Sequence, residues 1–600
     1  MSVSEEKINE VTRRAQENAN LIWNAANSLF GAYKPHEYGL VILPMCVIKR
    51  FHDCLETKKE GSDQTRHQEV LEAYKRYKDF GPMTADFLKE AAGYQFYNVS
   101  EYTFDLLSAD PENIADNFMV YLNGFSDNVK DILARMGFYS QIERMKDAKC
   151  LYQIILDFNA KDMDMSKYSS VDMGYIFENL VQRFSESYGE EAGAHFTSRD
   201  IIYLMCDLLL TKYEMNTDED GMHCTVYDMT MGTSQMLTCM EERLHQLDEK
   251  ANVMTFGQEI NPFTMGIAVA DTMIHGGDSD NMKFGDTLSE DQFSGFQFDF
   301  CISNPPFGID WKREAPVVEL EYKKGDAGRF APGLPSKSDG QMLFMLNGIA
   351  KLKEGSGKMA IIQNGSSLFA GDAGSGQSEI RRYMIEKNWL DAIVQLPNDS
   401  FYNTGIATYI WIIDKAKPQR NPGEVLLIDA SKCCEMRRKP IGNKRVDITE
   451  RCRNLIVEAY GEYRTFQFMD ERETGITCKC KRVDSVDFGY RKVTVETPKY
   501  ENGKVVKKKG KPVPDTKKRD TEMISLEEDP EAYLRREVHP FHPDAWIDPS
   551  KTKIGYEIPF TKTFFEYAKI EDSFEIERRI AEREQKLMAE LHELFREEGE

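Results

Sequence analysis

Between about residues 170 and 430 the chain alternates short apolar runs with segments of helical period, and this pattern constrains the fold more than any other feature. Strands are expected at Thr225–Asp228, Val253–Glu259, Phe298–Ser303, Met359–Gln363, Ala392–Leu396, Tyr409–Ile413 and Val425–Asp429. Helix-period segments such as Met236–Leu247, Phe263–Ile274 and Gln341–Leu352 separate several of them. Parallel strands need a long crossover, usually a helix, so alternation of this kind predicts a doubly wound, Rossmann-like α/β domain.

The flanks read differently. Residues 1–165 carry apolar positions at helical spacing, as in Leu21-Ile22-Trp23 and Leu40 to Phe51, punctuated by Pro35, Pro44, Pro82 and Pro111. After about residue 430 the chain becomes polar and irregular, and it closes with a charged helix. The expected organisation is a helical domain (1–165), an α/β domain (166–435) and an extension (436–600) ending in a helical tail at 573–597. In that tail Ile576, Ile580, Leu587, Leu591 and Leu594 form one narrow stripe, suited to docking on a partner helix or on its own domain. Six hundred residues exceed what one core supports, which agrees with several domains.

The formal charge is −24, and an acidic chain is poorly suited to neutralising nucleic-acid phosphates by itself. One local exception is Lys504 to Arg519, with Lys507-Lys508-Lys509, Lys511 and Lys517-Lys518-Arg519 among glycines and prolines. It reads as a mobile loop, either a solvated linker or a phosphate-contacting arm. Cys433-Cys434 and Cys478-x-Cys480 lack the spacing of a zinc site, so no metal is expected. No apolar run has membrane-spanning length and the N-terminus has no signal core, which predicts a soluble cytoplasmic protein. No Walker-type phosphate loop occurs.

The sharpest motif is Asn304-Pro305-Pro306-Phe307, which follows at once on the strand ending at Ser303. Consecutive prolines fix φ and remove two backbone donors, leaving a rigid corner rich in acceptors. Such a corner suits an exocyclic amine, whose lone pair is delocalised into its ring. The Asn304 side-chain oxygen and the Pro305 carbonyl would accept its hydrogens, and Phe307 would stack on the extruded base. Upstream, Asp228-Met229-Thr230-Met231-Gly232-Thr233-Ser234-Gln235 joins a strand to a helix through a tight turn, where backbone N–H groups face a ligand. Glu259 closes the second strand, the usual place for a ribose-binding carboxylate, and Asp286 follows a short third strand, where it would meet an adenine amine. Cys301 is expected to be a buried strand residue; Phe369 and Phe401 are expected in the core.

These motifs, in this order, resemble the modification (M) subunits of type I restriction–modification systems, a family of N6-adenine DNA methyltransferases. The likeness extends to Ile22-Trp23-Asn24-Ala25-Ala26 and Val41-Ile42-Leu43-Pro44 near the N-terminus, and to Gly174-Tyr175-Ile176-Phe177-Glu178. It continues through Gln363-Asn364-Gly365-Ser366 and Phe401 to Ile406. The resemblance implies S-adenosyl-L-methionine as cofactor and a segment Ala194-His195-Phe196-Thr197-Ser198-Arg199 that closes over it. It also implies a γ order of motifs and double-stranded DNA with a flipped adenine as substrate. A specificity (S) subunit, a second M subunit and a restriction (R) subunit are the implied partners. Two departures stand out. Met229, Ser234 and Gln235 replace a proline and two glycines of the family's turn, and Ser198 replaces a proline. A positive φ at either turn position would strain it. Two other readings stay open: a catalytically weakened structural subunit of the same complex, and a methyltransferase acting on protein glutamine.

Overall fold

The computed structural model describes residues 19–168, 197–213, 217–218, 221–274, 277–402, 404–470, 475–508, 510–565 and 572–597, with Arg13, Glu17, Asp172, Met173, Ile176 and Leu180 besides. Among the described residues, thirteen strands carry the sheet domain: β1 (Thr217–Asp218), β2 (Gly221–Asp228), β3 (Asn252–Glu259), β4 (Met282–Phe284), β5 (Phe300–Ser303), β6 (Lys358–Asn364), β7 (Leu390–Gln395), β8 (Thr408–Asp414), β9 (Glu424–Lys432), β10 (Glu435–Ile441), β11 (Lys444–Asp447), β12 (Phe466–Met469) and β13 (Thr477–Asp484). All except the β10–β11 hairpin belong to one sheet, ordered β12-β13-β9-β7-β8-β6-β5-β2-β3-β4 with β1 paired to β2. From β4 to β6 all neighbours run parallel, and β8 lies antiparallel between β6 and β7. The chain leaves β2 for β3 and β4, then returns to β5 on the other flank. That reversal opens a crevice at the carboxyl ends of β2 and β5, where ligands of such sheets bind.

All seven expected strands recur, because β6 and β8 are buried along their length and read as apolar runs. Phe298 reaches its neighbour only through an isolated bridge to Leu352. Beyond residue 435 the structure departs from the reading of a polar, irregular extension. β12 and β13 belong to the main sheet, and Cys478 and Cys480 are inward residues of β13, so their spacing is strand alternation. A separate antiparallel sheet follows, with Gly489–Glu496 between Asp520–Ser525 and Trp546–Tyr556. The lysine-rich segment is not an irregular loop: it forms two short hairpins.

In the helical domain, whose core begins with Ala19 and Ile22, the longest helix is Gly39–Leu55, which accommodates Pro44, and Leu151–Phe158 follows several shorter ones among the described residues. One helix of the sheet domain, Pro262–Ile274, completes both cores. Met265 and Ala268 pack with the sheet, whereas Ile267, Ala270 and Met273 are buried with the N-terminal helices. Gly266 permits this approach, since a Cβ there would lie 2.8 Å from Met136 Cγ. Residues Pro559–Glu600 form a second compact unit, dominated by the helix Ser573–Glu597. Phe574, Ile580, Leu587 and Met588 are exposed on it; the side chains of Leu591 and Leu594 lie outside the described set. Among the described residues, no helix is long and apolar enough to cross a membrane.

Candidate active site

A cavity of about 390 Å³ opens where β2, β3 and β5 end. Asp228, Glu259 and Asn304 reach it from those three strand ends, and Asp286 comes from the segment after β4.

The turn after β2 forms its floor. Gly232 has φ +54° and Ser234 has φ +68°, so the position where serine replaces glycine does require the left-handed region. An L-residue there carries strain of roughly 1–2 kcal/mol. Backbone bonds hold the turn in place: Ser234 N donates to Met231 O (2.7 Å), and Met231 N donates to Gln258 O (3.1 Å). Gly257 makes room below, because a Cβ there would collide with Met231 Sδ. Met229 is fully buried, and its carbonyl accepts from Thr287 Oγ1 at 2.5 Å. Gln235 starts the helix Gln235–Leu247 and lines the cavity; its Oε1 accepts from the Arg199 guanidinium. Arg199, itself buried, also reaches Cys239 Sγ at 3.1 Å, so its role is to fasten this first helical turn.

Glu259 is gripped by backbone amides. Its Oε2 accepts from Gly232 N (2.8 Å) and its Oε1 from Asn261 N (2.7 Å). A carboxylate has about four acceptor sites, so each oxygen keeps capacity for a ligand hydroxyl. Burial raises its pKa above the usual glutamate value. Asp228 is 1% exposed, and its Oδ1 accepts from Ser303 Oγ (2.7 Å) and Thr230 N (3.0 Å). Burial pushes its pKa up to about 7. Asp286 Oδ1 accepts from Leu288 N at 2.7 Å, and Glu314 is lifted by burial and by the negative charge of Asp286.

Asn304 is 7% exposed, its Nδ2 donates to Thr197 Oγ1 at 2.7 Å, and its Oδ1 is buried without a partner among the described residues. An unsatisfied buried acceptor costs about 1–3 kcal/mol, and it persists here at the cavity wall. Pro306 also lines the cavity, whereas Pro305 and Phe307 do not; Phe307 is half-buried against the sheet core. Ser234 is buried beneath the lining, Thr233 is part of it, and Ser198 is the buried residue that precedes the helix Arg199–Leu210. Ala194, His195 and Phe196 lie outside the described residues. Cys301 and Phe401 are buried as expected, but Phe369 is 59% exposed, because it ends a short helix at the surface.

The sequence reading missed Ile309, Trp311, Glu314 and Phe344, which form the far wall. Trp311, an isolated aromatic in a polar stretch four residues after Phe307, was the available signal. The lining as a whole is acidic: Asp228, Glu259, Asp286, Asp310 and Glu314 face it, and no Lys, Arg or His does among the described residues. Such a cavity repels phosphates and favours a cationic ligand bearing hydroxyls and amines.

The family model for N-6 DNA methylase matches residues 169–508, and that for the HsdM N-terminal domain matches residues 18–158. A type I restriction enzyme methylase subunit of Mycoplasma pneumoniae (MpnII) is 28% identical over 47% of this chain, which spans about half (51%) of that relative's length. The MjaIX methylase subunit of Methanocaldococcus jannaschii is 22% identical over 86% of this chain and 90% of its own. The fold matches the crystal structure of a type I restriction-modification methyltransferase subunit from Streptococcus thermophilus, with TM-score 0.61 at 22% identity over 79% of this chain and 97% of that one. With the family model covering more than half of its length, the chain belongs to the N-6 DNA methylase family, its methylase domain preceded by an HsdM N-terminal domain.

Proposed function

We propose that this protein is the modification subunit of a type I restriction–modification complex and transfers a methyl group from S-adenosylmethionine to adenine N6 in DNA. The observation that carries this reading is the Oδ1 of Asn304, buried and without a partner among the described residues, at the wall of an acidic cavity.

The residues present fit S-adenosylmethionine. Glu259, with both oxygens fixed by backbone amides, suits the ribose hydroxyls. Asp286 suits the cofactor's adenine amine, and the acidic lining suits a sulfonium and an ammonium. When bound, the cofactor supplies an electrophilic methyl group. The chain's own residues supply orientation and polarisation. Asn304 Oδ1 and the Pro305 carbonyl accept the hydrogens of the target amine and draw its nitrogen toward a tetrahedral form. Phe307, half-buried beside that corner, offers an aromatic face to the extruded base. Gly232, Thr233 and Gln235 shape the turn under the cofactor.

The specificity subunit, a second copy of this chain and the restriction subunit complete the assembly in this reading. The exposed Phe574, Ile580 and Leu587 on the terminal helix supply apolar surface for such docking. The test is to assemble the chain with its specificity subunit, incubate it with plasmid and cofactor, and map N6-methyladenine. Methylated adenine at a defined sequence is the expected result. Unmodified DNA beside labelled protein would overturn the DNA reading, and failure of the complex to bind cofactor would overturn the enzymatic one.

A further inference from the structure

The strand Gly489–Glu496 does not stop where its sheet ends. It continues as a two-stranded ribbon in which Asp515 N donates to Thr497 O and Lys499 N to Val513 O, each at 2.8 Å. Two hairpins finish the tip: Tyr500–Glu501 with Lys504–Val505, and Lys507–Lys508 with Lys511–Pro512. Val506 stitches them to the ribbon through Val506 N to Lys499 O (2.9 Å) and Val513 N to Val506 O (2.8 Å). At the base, the buried Glu496 accepts from Arg519 Nε (2.8 Å) and Lys551 Nζ (2.6 Å). This is a built arm.

Its charge is opposite to that of the rest of the chain. Residues 499–519 contain nine Lys and Arg against two Asp and Glu, in a protein of net charge −24. Lys499 pairs with Glu501 and Arg519 with Glu496. The side chains of Lys504, Lys507, Lys508, Lys511, Lys517 and Lys518 are exposed, and none makes an ion pair among the described residues. Six unpaired cations on one small ribbon repel one another, an arrangement that an anionic partner relieves.

The sheet is anchored at Tyr556, whose N–H donates to Ser378 Oγ (2.8 Å) and whose carbonyl accepts from Arg381 Nε (2.7 Å). Ile558 N donates to Leu368 O (2.9 Å), in the short helix Ser366–Phe369 that follows the carboxyl end of β6. β6 runs parallel to β5, whose carboxyl end leads into Asn304. The anchor therefore lies at the same end of the main sheet as the cavity. Register sets Gly489 opposite Tyr556 and Glu496 opposite Trp546, so the ribbon springs from the end remote from the anchor.

We infer that this ribbon is a phosphate-binding arm that grips the DNA duplex flanking the target base, an inference that rests on the DNA methyltransferase reading. A duplex presents a charge about every 1.7 Å, so lysines spaced along a β-ribbon meet phosphates without sequence preference. The test compares the assembled complex with variants carrying Lys507→Glu, Lys508→Glu and Lys511→Glu together, or the same three to Gln, on a short labelled duplex. The expected result is a salt dependence of log K shallower by about 2–3 and an affinity loss of about tenfold or more at moderate salt. Cofactor affinity and the transfer rate at saturating DNA stay at wild-type values. Unchanged affinity and slope would overturn the inference. So would loss of subunit assembly with the DNA slope unchanged, which would make the arm a protein interface. Failure of the wild-type complex to methylate DNA would instead overturn the functional reading.

Discussion

The side-chain amide of Asn304 donates to Thr197 Oγ1 at 2.7 Å across 107 residues of sequence, while its own oxygen has no partner among the described residues. Donation from one end of an amide polarises it and makes the other end a better acceptor. Thr197 is thus a positioning residue for Asn304. Thr197→Val, which keeps shape but removes the hydroxyl, should lower the single-turnover transfer rate about tenfold, the equivalent of one ordinary hydrogen bond. Cofactor affinity should change little, and Thr197→Ser should restore the rate. Equal rates for Val and wild type would refute the role.

Removing the acceptor itself should cost more. Asn304→Ala should lower the transfer rate by about 10²–10³, the range for a lost transition-state polarising group. Titration calorimetry with S-adenosylmethionine should give a dissociation constant close to wild type. Parallel loss of both would indicate misfolding.

Glu259→Gln places an amide NH₂ where a carboxylate oxygen now faces a backbone donor, Gly232 N or Asn261 N. The turn then loses an acceptor and the ribose loses a charged one. Cofactor affinity should fall about 10–100-fold, measured by the same titration.

Ser234 sits at φ +68°, where glycine is free of the steric penalty. Ser234→Gly should stabilise the protein by up to about 1 kcal/mol, after the extra entropy of glycine in the unfolded chain is counted. Denaturant titration measures this; a loss of stability would show that the serine side chain contributes more than the strain costs.

Asp228 binds its proton more tightly folded than unfolded, since burial lifts its pKa to about 7. Its contribution to stability is therefore fully present below pH of about 4 and is lost as pH rises through about 7. Asp228→Asn removes this dependence. The stability of wild type relative to the variant should fall steadily between those values in denaturant titrations run as a pH series.

Much of this was legible in the sequence for a simple reason. Strands buried on both faces, such as β6 and β8, are apolar throughout, so they announce themselves without alternation. The strand ends carrying Asp228, Glu259 and Asn304 were located because polar residues terminate those runs. β13 was missed because its inward residues include cysteines and its outward ones lysines, a pattern that reads as polar. The contact between Thr197 and Asn304, and the far wall at Ile309 and Trp311, depend on long-range folding that no local period encodes. Gln235, the last residue of the expected cofactor turn, lines the cavity, and the residue that holds it there, Arg199 from another helix, is a long-range partner of the same kind.

The helix Pro262–Ile274 begins directly after Glu259, Ile260 and Asn261, three residues of the cavity rim. Because its opposite face is locked among Ile132 and Met136 of the N-terminal helices, it works as a stiff pushrod between the two domains. A partner that grips the helical domain need never touch the cavity to alter it. The first residue of this helix lies three positions from the carboxylate assigned to the cofactor's ribose, so the helical domain and the cavity share one rigid element.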